Sequence, residues 1–156
     1  MFRLLIVDDN PSDVEVLTQL TQTLQRPHEV YVAVDGEDAL DFLLCRGAYV
    51  DAPRPNLILL DVNMPRMNGL ELLSHIKADS ELCVIPVIML STSDSPAEIR
   101  KAYQAHANCY VQKPTSSERA NRLIQAIESF WMDVAVLPPC DERPKNRTTS
   151  LLPVGK

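Results

Sequence analysis

Five short apolar runs, separated by longer segments with helical spacing, constrain the fold of this chain more than any other sequence feature. Residues 4–7, 57–60 and 87–90 are apolar at every position, and weaker runs occupy residues 29–34 and 109–111. Runs that are apolar throughout, instead of at alternate positions, are typical of parallel strands buried on both faces. Strands that alternate with helices predict an α/β fold with a parallel sheet between two helical layers.

Capping and helix-breaking residues mark the helices between these runs. Pro11 suits the first turn of the first helix, and Asp35 is a capping carboxylate before the second. The third helical pattern covers residues 70–78, the fourth begins with Pro96 in its first turn, and the fifth begins at Ser116 or Ser117. One apolar stripe runs along that last helix, formed by Leu123, Ile127, Phe130 and Trp131.

Length and charge bound the domain organisation and the class of partner. The 156 residues suit one domain, predicted over residues 1–137, followed by a flexible Pro-rich tail over residues 138–156. The net charge of −6 argues against coating of nucleic acid. No helix-turn-helix pattern follows residue 137, so direct binding to DNA is not expected.

Cysteine spacing and hydropathy predict a cytoplasmic protein with free thiols. The cysteines form no C-x-x-C pair and lie at no zinc-like spacing from histidine, which favours a reducing compartment. We find no signal-peptide pattern, and no apolar run approaches the ~20 residues that cross a bilayer. The four cysteines are Cys45, Cys83, Cys109 and Cys140.

Polar residues follow four of the predicted strands, where each strand ends. In an open parallel sheet, ligands bind beyond the carboxyl ends of the strands, so these side chains should converge. Clustered carboxylates repel one another, and a bound divalent cation relieves that repulsion. An all-oxygen set suits Mg²⁺ and argues against zinc. The converging residues are Asp8, Asp9, Asp61, Ser91, Thr92 and Lys113.

This set has the chemistry of a phosphoryl site. One carboxylate can attack phosphorus to give an aspartyl phosphate. The Lys113 ammonium and the Ser91 hydroxyl can then bind the phosphoryl oxygens. Taken alone, the pair Asp8-Asp9 would more often be a solvated turn that caps a helix, so a phosphoryl site here requires that the other residues converge on this pair.

The motif Asp61-x-x-Met64-Pro65-x-Met67-x-Gly69 follows the third apolar run. Together with Asp8-Asp9, Ser91-Thr92 and Lys113-Pro114, it resembles the receiver domain of two-component response regulators over about residues 3–131. The resemblance implies a flavodoxin-like, doubly wound sheet of five parallel strands in the order 2-1-3-4-5, with five helices.

The resemblance also implies a role for each site residue. Asp61 is the expected phosphoacceptor, Lys113 the phosphate-binding lysine, Ser91 the switch hydroxyl and Tyr110 the switch aromatic residue. It further implies a cis Lys113-Pro114 peptide, and a signalling protein that is phosphorylated without being an enzyme. The expected Mg²⁺ ligands are Asp8 directly or through water, Asp9, Asp61 and the backbone carbonyl of Asn63.

A narrower resemblance is to the small regulators associated with bacterial and cyanobacterial phytochrome kinases. It is carried by the loop over residues 47–56, the segment Asn108-Cys109-Tyr110 and residues 127–131. The resemblance implies a phytochrome-type histidine kinase as phosphoryl donor. It also implies a homodimer through the face formed by the fourth helix, fifth strand and fifth helix, with Trp131 as a candidate contact.

Two rival functions remain open at this point. One is a Mg²⁺-dependent phosphatase with an aspartate nucleophile, although such enzymes usually carry a second acid where this chain has Asn63. The other is a receiver-like scaffold that is never phosphorylated, which the intact acidic set disfavours.

Overall fold

The computed structural model describes residues 1–139. The predicted tail lies outside the described residues except for Pro138 and Pro139, which have no regular secondary structure. None of the helices in residues 1–139 combines the length and apolar character needed to cross a membrane.

Within this range, strands and helices alternate along the chain. The strands are β1 (Phe2–Val7), β2 (His28–Ala33), β3 (Leu57–Asp61), β4 (Val87–Ser91) and β5 (Cys109–Gln112). The α-helices are α1 (Pro11–Thr21), α2 (Gly36–Leu43), α3 (Gly69–Ala78), α4 (Pro96–Gln104) and α5 (Ser117–Ala126). Short 3₁₀ turns cover Gly47–Tyr49 and Leu82–Val84, and a π-helical turn over Ile127–Met132 continues α5.

The strands form one parallel sheet in the order β2-β1-β3-β4-β5, which confirms the predicted fold and strand order. The register aligns the carboxyl ends of the central strands. Val7 pairs with Leu60, so the residues that follow them, Asp8 and Asp61, lie side by side. Ser91 pairs with Gln112, so the chain leaves β5 for Lys113 at the same edge.

Two cores cover the two faces of the sheet. The first core packs α2, α3 and α4 on side chains such as Leu5, Ile58 and Leu60. The second packs α1 and α5 on the alternate residues of the same strands, such as Leu4 and Leu59. Full burial of one such side chain contributes about 1.5–3 kcal/mol, so two apolar faces explain why these runs contain no polar residue.

Side-chain caps fix where the helices begin. The Asn10 carboxamide oxygen accepts the amide N–H of Ser12 at 3.0 Å at the start of α1. The Asp35 carboxylate accepts the amide N–H of Asp38 at 2.8 Å at the start of α2. These contacts satisfy backbone N–H groups that have no partner inside the helix. They also set the points at which the chain turns back from the sheet edge.

The stripe predicted along the last helix is wrong at Phe130. Ile127 and Trp131 pack on the second core, but Phe130 is 52% exposed. The physical reason is the π-helical turn over Ile127–Met132, whose wider i→i+5 spacing rotates successive side chains away from the α-helical stripe. Trp131 is therefore a half-buried core residue, and Phe130 is the aromatic residue presented to solvent.

Gly69 holds the start of α3 against the end of β3. Its amide N–H donates to the Val62 carbonyl at 2.8 Å. A Cβ at Gly69 would lie 2.8 Å from the Cα of Val62 and would overlap the Asp61 carbonyl oxygen. Glycine is therefore required because the helix passes directly over the backbone of Asp61.

Replacing Gly69 by alanine should destabilise the protein by about 2 kcal/mol or more, because a Cβ forced against rigid backbone overpacks the contact. Gly47→Ala is the control, since Gly47 has a φ of 58° but no atom within 4 Å of the added Cβ. That variant should cost only the ~1–2 kcal/mol of the left-handed conformation. Urea unfolding measures both, and a Gly69→Ala variant as stable as the parent protein would contradict the packing argument.

Candidate functional site

Three carboxylates meet at the carboxyl edge of the sheet. Asp8 follows β1 and is 2% exposed, Asp61 ends β3 and is 3% exposed, and Asp9 is open to solvent. One carboxylate oxygen from each residue lies within 4.8 Å of the others. The structure therefore brings together three of the predicted site residues that are up to 53 positions apart in the sequence.

Lys113 enters this cluster from the end of β5 and carries its counter-charge. Its Nζ lies 3.0 Å from Asp8 Oδ2 and 3.3 Å from Asp61 Oδ2. It also donates a hydrogen bond to Asp13 Oδ2 at 2.9 Å. The backbone N–H of Lys113 donates to the Ser91 carbonyl at 2.6 Å, which fixes the side chain relative to β4.

The surroundings of Asp61 make its negative charge unfavourable. Burial and then the neighbouring charge of Asp8 raise the pKa of Asp61 to about 6, against the opposing effect of Lys113. The Asn63 amide N–H donates to Asp61 Oδ1 at 3.2 Å and offsets part of this effect. The ionised form of such a carboxylate is stabilised by any cation that binds next to it.

The Lys113 ammonium responds in the opposite direction. Burial opposes its charge, but the carboxylates of Asp13, Asp8 and Asp61 outweigh burial and raise the pKa of Lys113 above its ordinary value. Lys113 therefore remains a cation throughout the physiological range. It is placed to hold a negatively charged group attached to Asp61.

The donor set fits a hard divalent cation. Asp8 Oδ2 is buried and, beside its ion pair with the Lys113 ammonium at 3.0 Å, accepts no further hydrogen bond from residues 1–139, so this oxygen can still bind a cation. The clustered ligand atoms are all carboxylate oxygens, which suit Mg²⁺, Mn²⁺ or Ca²⁺ better than zinc. Asn63 follows Asp61 at this edge, and the use of its carbonyl as a ligand stays a prediction.

A second group of polar residues lies beside the acidic cluster. Ser91 is completely buried, whereas Thr92 is exposed, so only the first of the two hydroxyl residues faces inwards. The Ser91 hydroxyl donates to Glu98 Oε2 at 3.1 Å, and the Tyr110 hydroxyl donates to the same oxygen at 2.8 Å. Both predicted switch residues thus contact one carboxylate on α4.

Asp13 and Glu98 are site residues that the sequence pattern did not indicate. Both lie in the first turn of a helix that leaves the site edge, α1 for Asp13 and α4 for Glu98. Acidic residues in first turns are common because they interact favourably with the helix dipole, so the pattern alone does not mark them. Their position directly after the site strands was the available signal.

The expected cis Lys113-Pro114 peptide is wrong for this structure. Every peptide bond among residues 1–139 is trans. Trans is the form that X–Pro bonds favour, by about 0.5–1 kcal/mol. The Lys113 ammonium reaches the acidic cluster in this form.

A cleft of about 280 Å³ opens next to the acidic cluster, between α1 and the start of α5. Asp8, Asp13 and Lys113 line its polar end, and Val16 and Leu17 line its apolar end. The cluster is therefore reached from solvent through a partly apolar opening.

Replacing Asp61 by asparagine should stabilise the metal-free protein at pH 8, on the order of 1–3 kcal/mol. A folded-state pKa raised to about 6 means that ionised Asp61 opposes folding above that pH. The gain should shrink as the pH falls through 6 and Asp61 becomes protonated in the parent protein. Chemical unfolding with a chelator present at pH 8 and pH 5 measures it. Asp51→Asn, at an exposed position, is the control. An equal or larger gain at pH 5 would contradict the assigned cause.

Known proteins with similar sequences and structures share this arrangement of strands. Response regulator Rcp1 from Synechocystis sp. is 38% identical over 135 residues, which cover 86% of this chain and 92% of the relative. The crystal structure of the Mn²⁺-bound form of Rcp1 matches 89% of this chain and 100% of its own, with a TM-score of 0.83 and 37% identity.

Two further solved structures are similar. The phosphorylated cyanobacterial phytochrome response regulator RcpA is 38% identical with a TM-score of 0.84, over 88% of this chain and 99% of its own. The bacteriophytochrome response regulator AtBRR is 35% identical with a TM-score of 0.69, over 89% of this chain and 99% of its own.

The family model for the response regulator receiver domain matches residues 4–128, a range that starts within β1, extends beyond β5 and contains every residue of the acidic cluster. With its strand order, its buried aspartates and its lysine at one sheet edge, this chain belongs to the response regulator receiver domain family.

Proposed function

We propose that this chain accepts a phosphoryl group on Asp61 from the phosphohistidine of a histidine kinase, with Mg²⁺ as the divalent cation. One observation carries the proposal. The buried Asp61 carboxylate lies 3.3 Å from the Lys113 ammonium and shares a cluster with the Asp8 and Asp9 carboxylates. A nucleophile, a fixed cation and a set of metal ligands are the parts that phosphoryl transfer to a carboxylate requires.

In the proposed step, a carboxylate oxygen of Asp61 attacks phosphorus in line with the bond to the kinase histidine. The new O–P bond forms as the P–N bond breaks, and the bonding electrons remain on the histidine nitrogen. Lys113 exchanges part of its contact with Asp61 for one with a phosphoryl oxygen. Bound at Asp8, Asp9 and Asp61, Mg²⁺ would neutralise charge on the transferring oxygens.

At neutral pH the Asp61 side chain is in the ionised form that a nucleophile requires. A carboxylate whose pKa is about 6 is mostly ionised above pH 7, and it is more basic than an ordinary aspartate. Lys113 retains its contacts with Asp8 and Asp13 while it binds the incoming group, so it need not be repositioned.

The proposed signal is a change in charge at the sheet edge. An attached phosphoryl group adds about −1.5 to −2 charges, by analogy with other phosphorylated side chains. The buried Ser91 hydroxyl would turn towards the new oxygens, and Tyr110 would adjust its position between β5 and α4. We propose that this repacking alters the face formed by α4, β5 and α5.

We propose a phytochrome-type kinase in the cytoplasm as the phosphoryl donor. RcpA is described as a phytochrome response regulator and AtBRR as a bacteriophytochrome response regulator, which supports the kinase class. Cys83 and Cys109 are free thiols, which supports a reducing compartment.

We further propose that the chain does not turn over phosphate monoesters. The position two residues after Asp61 holds Asn63, which is exposed and cannot serve as a general acid. Hydrolysis of the aspartyl phosphate itself would then limit the lifetime of the signal.

Asp61→Asn should abolish incorporation of acid-labile phosphate from a small phosphodonor such as acetyl phosphate, because the amide is not a nucleophile. Removal of Mg²⁺ by a chelator should abolish labelling of the parent protein. Asp9→Asn should weaken labelling, since one metal ligand is lost. Radiolabelled donor and gel autoradiography measure this, with Asp51→Asn as the matched control at an exposed aspartate. Full labelling of Asp61→Asn would refute the assignment.

We propose that the α4–β5–α5 face also forms a homodimer. β5 is an edge strand of the sheet, and Tyr103 on α4 is 49% exposed beside it. The exposed Phe130 follows α5 and adds apolar surface near the end of that helix. Exposed aromatic residues near an unpaired strand edge are typical of association surfaces.

Tyr103→Glu should lower the dimer fraction, because a carboxylate buried between two copies would be unpaired. Sedimentation velocity at several protein concentrations measures the fraction. Val84→Glu, at another exposed apolar position in the turn before β4, is the control and should associate like the parent protein. If the Tyr103→Glu and parent proteins sediment identically as dimers, the dimer uses another face.

A further inference from the structure

The Glu98 carboxylate connects the two switch residues through a single oxygen. Glu98 Oε2 accepts the Ser91 hydroxyl at 3.1 Å and the Tyr110 hydroxyl at 2.8 Å. Hydrogen bonds from the Tyr110, Ser93 and Ser91 hydroxyls outweigh the effect of burial and lower the pKa of Glu98. Glu98 is therefore a charged acceptor at neutral pH, and bonds to it are stronger than bonds to neutral oxygens.

The Ser91 hydroxyl can donate only one hydrogen bond, so its bond to Glu98 excludes any other acceptor. A serine hydroxyl has one proton to donate, and here that proton points to Glu98. The Ser91 oxygen in turn accepts the Ser93 amide N–H at 3.1 Å, so the hydroxyl is held from both sides. To donate a hydrogen bond to a phosphoryl oxygen on Asp61, the Ser91 hydroxyl must break its hydrogen bond to Glu98.

Tyr110 has the same limitation and an alternative acceptor. Its single hydroxyl proton lies between Glu98 Oε2 at 2.8 Å and the Ser93 carbonyl oxygen at 2.9 Å. Loss of Ser91 from the shared oxygen leaves Tyr110 as the remaining switch residue bonded to it. A movement of Ser91 is thus transmitted to Tyr110 through one atom.

On the basis of the proposed phosphorylation of Asp61, we infer that Glu98 is a positioning residue that competes with the phosphoryl group for the Ser91 proton. Glu98 holds Ser91 and Tyr110 in their resting arrangement. The phosphoryl group must displace that arrangement to be recognised, so Glu98 sets how strongly phosphorylation shifts the switch.

The test uses beryllium trifluoride with Mg²⁺ as a non-covalent mimic of the phosphoryl group on Asp61. Glu98→Ala should bind it about 2- to 10-fold more tightly than the parent protein, the range expected when one competing hydrogen bond is removed. Glu98→Gln should fall between the two, because its amide oxygen remains an uncharged acceptor. Isothermal titration calorimetry measures the dissociation constants, and circular dichroism verifies folding.

Glu71→Gln is the matched control. Glu71 is an exposed acid in the first turn of α3, as Glu98 is in the first turn of α4, so this variant reproduces the loss of one negative charge near a helix start. Its affinity should stay within about twofold of the parent protein, as for most surface substitutions.

The Ser91→Ala background separates positioning from general electrostatics. Without the hydroxyl there is no proton to compete for, so adding Glu98→Ala should change the affinity no more than the control does. Equal tightening with and without the Ser91 hydroxyl would overturn the inference, because repulsion by the Glu98 charge would then explain it. Unchanged or weaker binding by Glu98→Ala in the parent background would also overturn it. If the parent protein itself does not bind the mimic, the proposed phosphorylation fails as well.

Discussion

The Lys113 ammonium is the interaction on which the rest of the site depends. Asp8, Asp61 and Asp13 come from three separate elements, and their carboxylates lie 2.9–3.3 Å from one nitrogen. Two of these acids are buried, and burial of unpaired negative charge is costly. One cation shared among three anions makes the cluster tolerable and still leaves Asp61 less acidic than normal, as a nucleophile requires.

The sheet makes that sharing possible because its register sets the relative height of each strand end. Apolar side chains on both faces of β1, β3 and β4 fix the register, since a slip by one residue would exchange the two cores. Gly69 then allows α3 to begin directly over the Asp61 backbone. The packing of the two cores on the sheet therefore positions the side chains of the acidic cluster.

The fold and the centre of the site were predictable because their signals are strong and local. Uninterrupted apolar runs indicate buried parallel strands, and the polar residues that directly follow them must meet at one edge. Glu98 and Phe130 were not predictable in this way. The role of Glu98 depends on which way a first-turn side chain points across a loop, and that of Phe130 on a π-helical turn that breaks the helical spacing. Both follow from three-dimensional packing, which a one-dimensional pattern does not encode.

The long sequence separation within the cluster has a consequence for the timing of synthesis and folding. Lys113 and Asp13 form their hydrogen bond across 100 residues, and β5 is both the last strand in residues 1–139 and an edge of the sheet. A nascent chain that has not yet docked β5 carries the two buried acids without their counter-ion. Contacts this distant in sequence also tend to form late and slowly. The complete acidic cluster, with its shared cation, therefore exists only in molecules in which β5 has docked on the sheet.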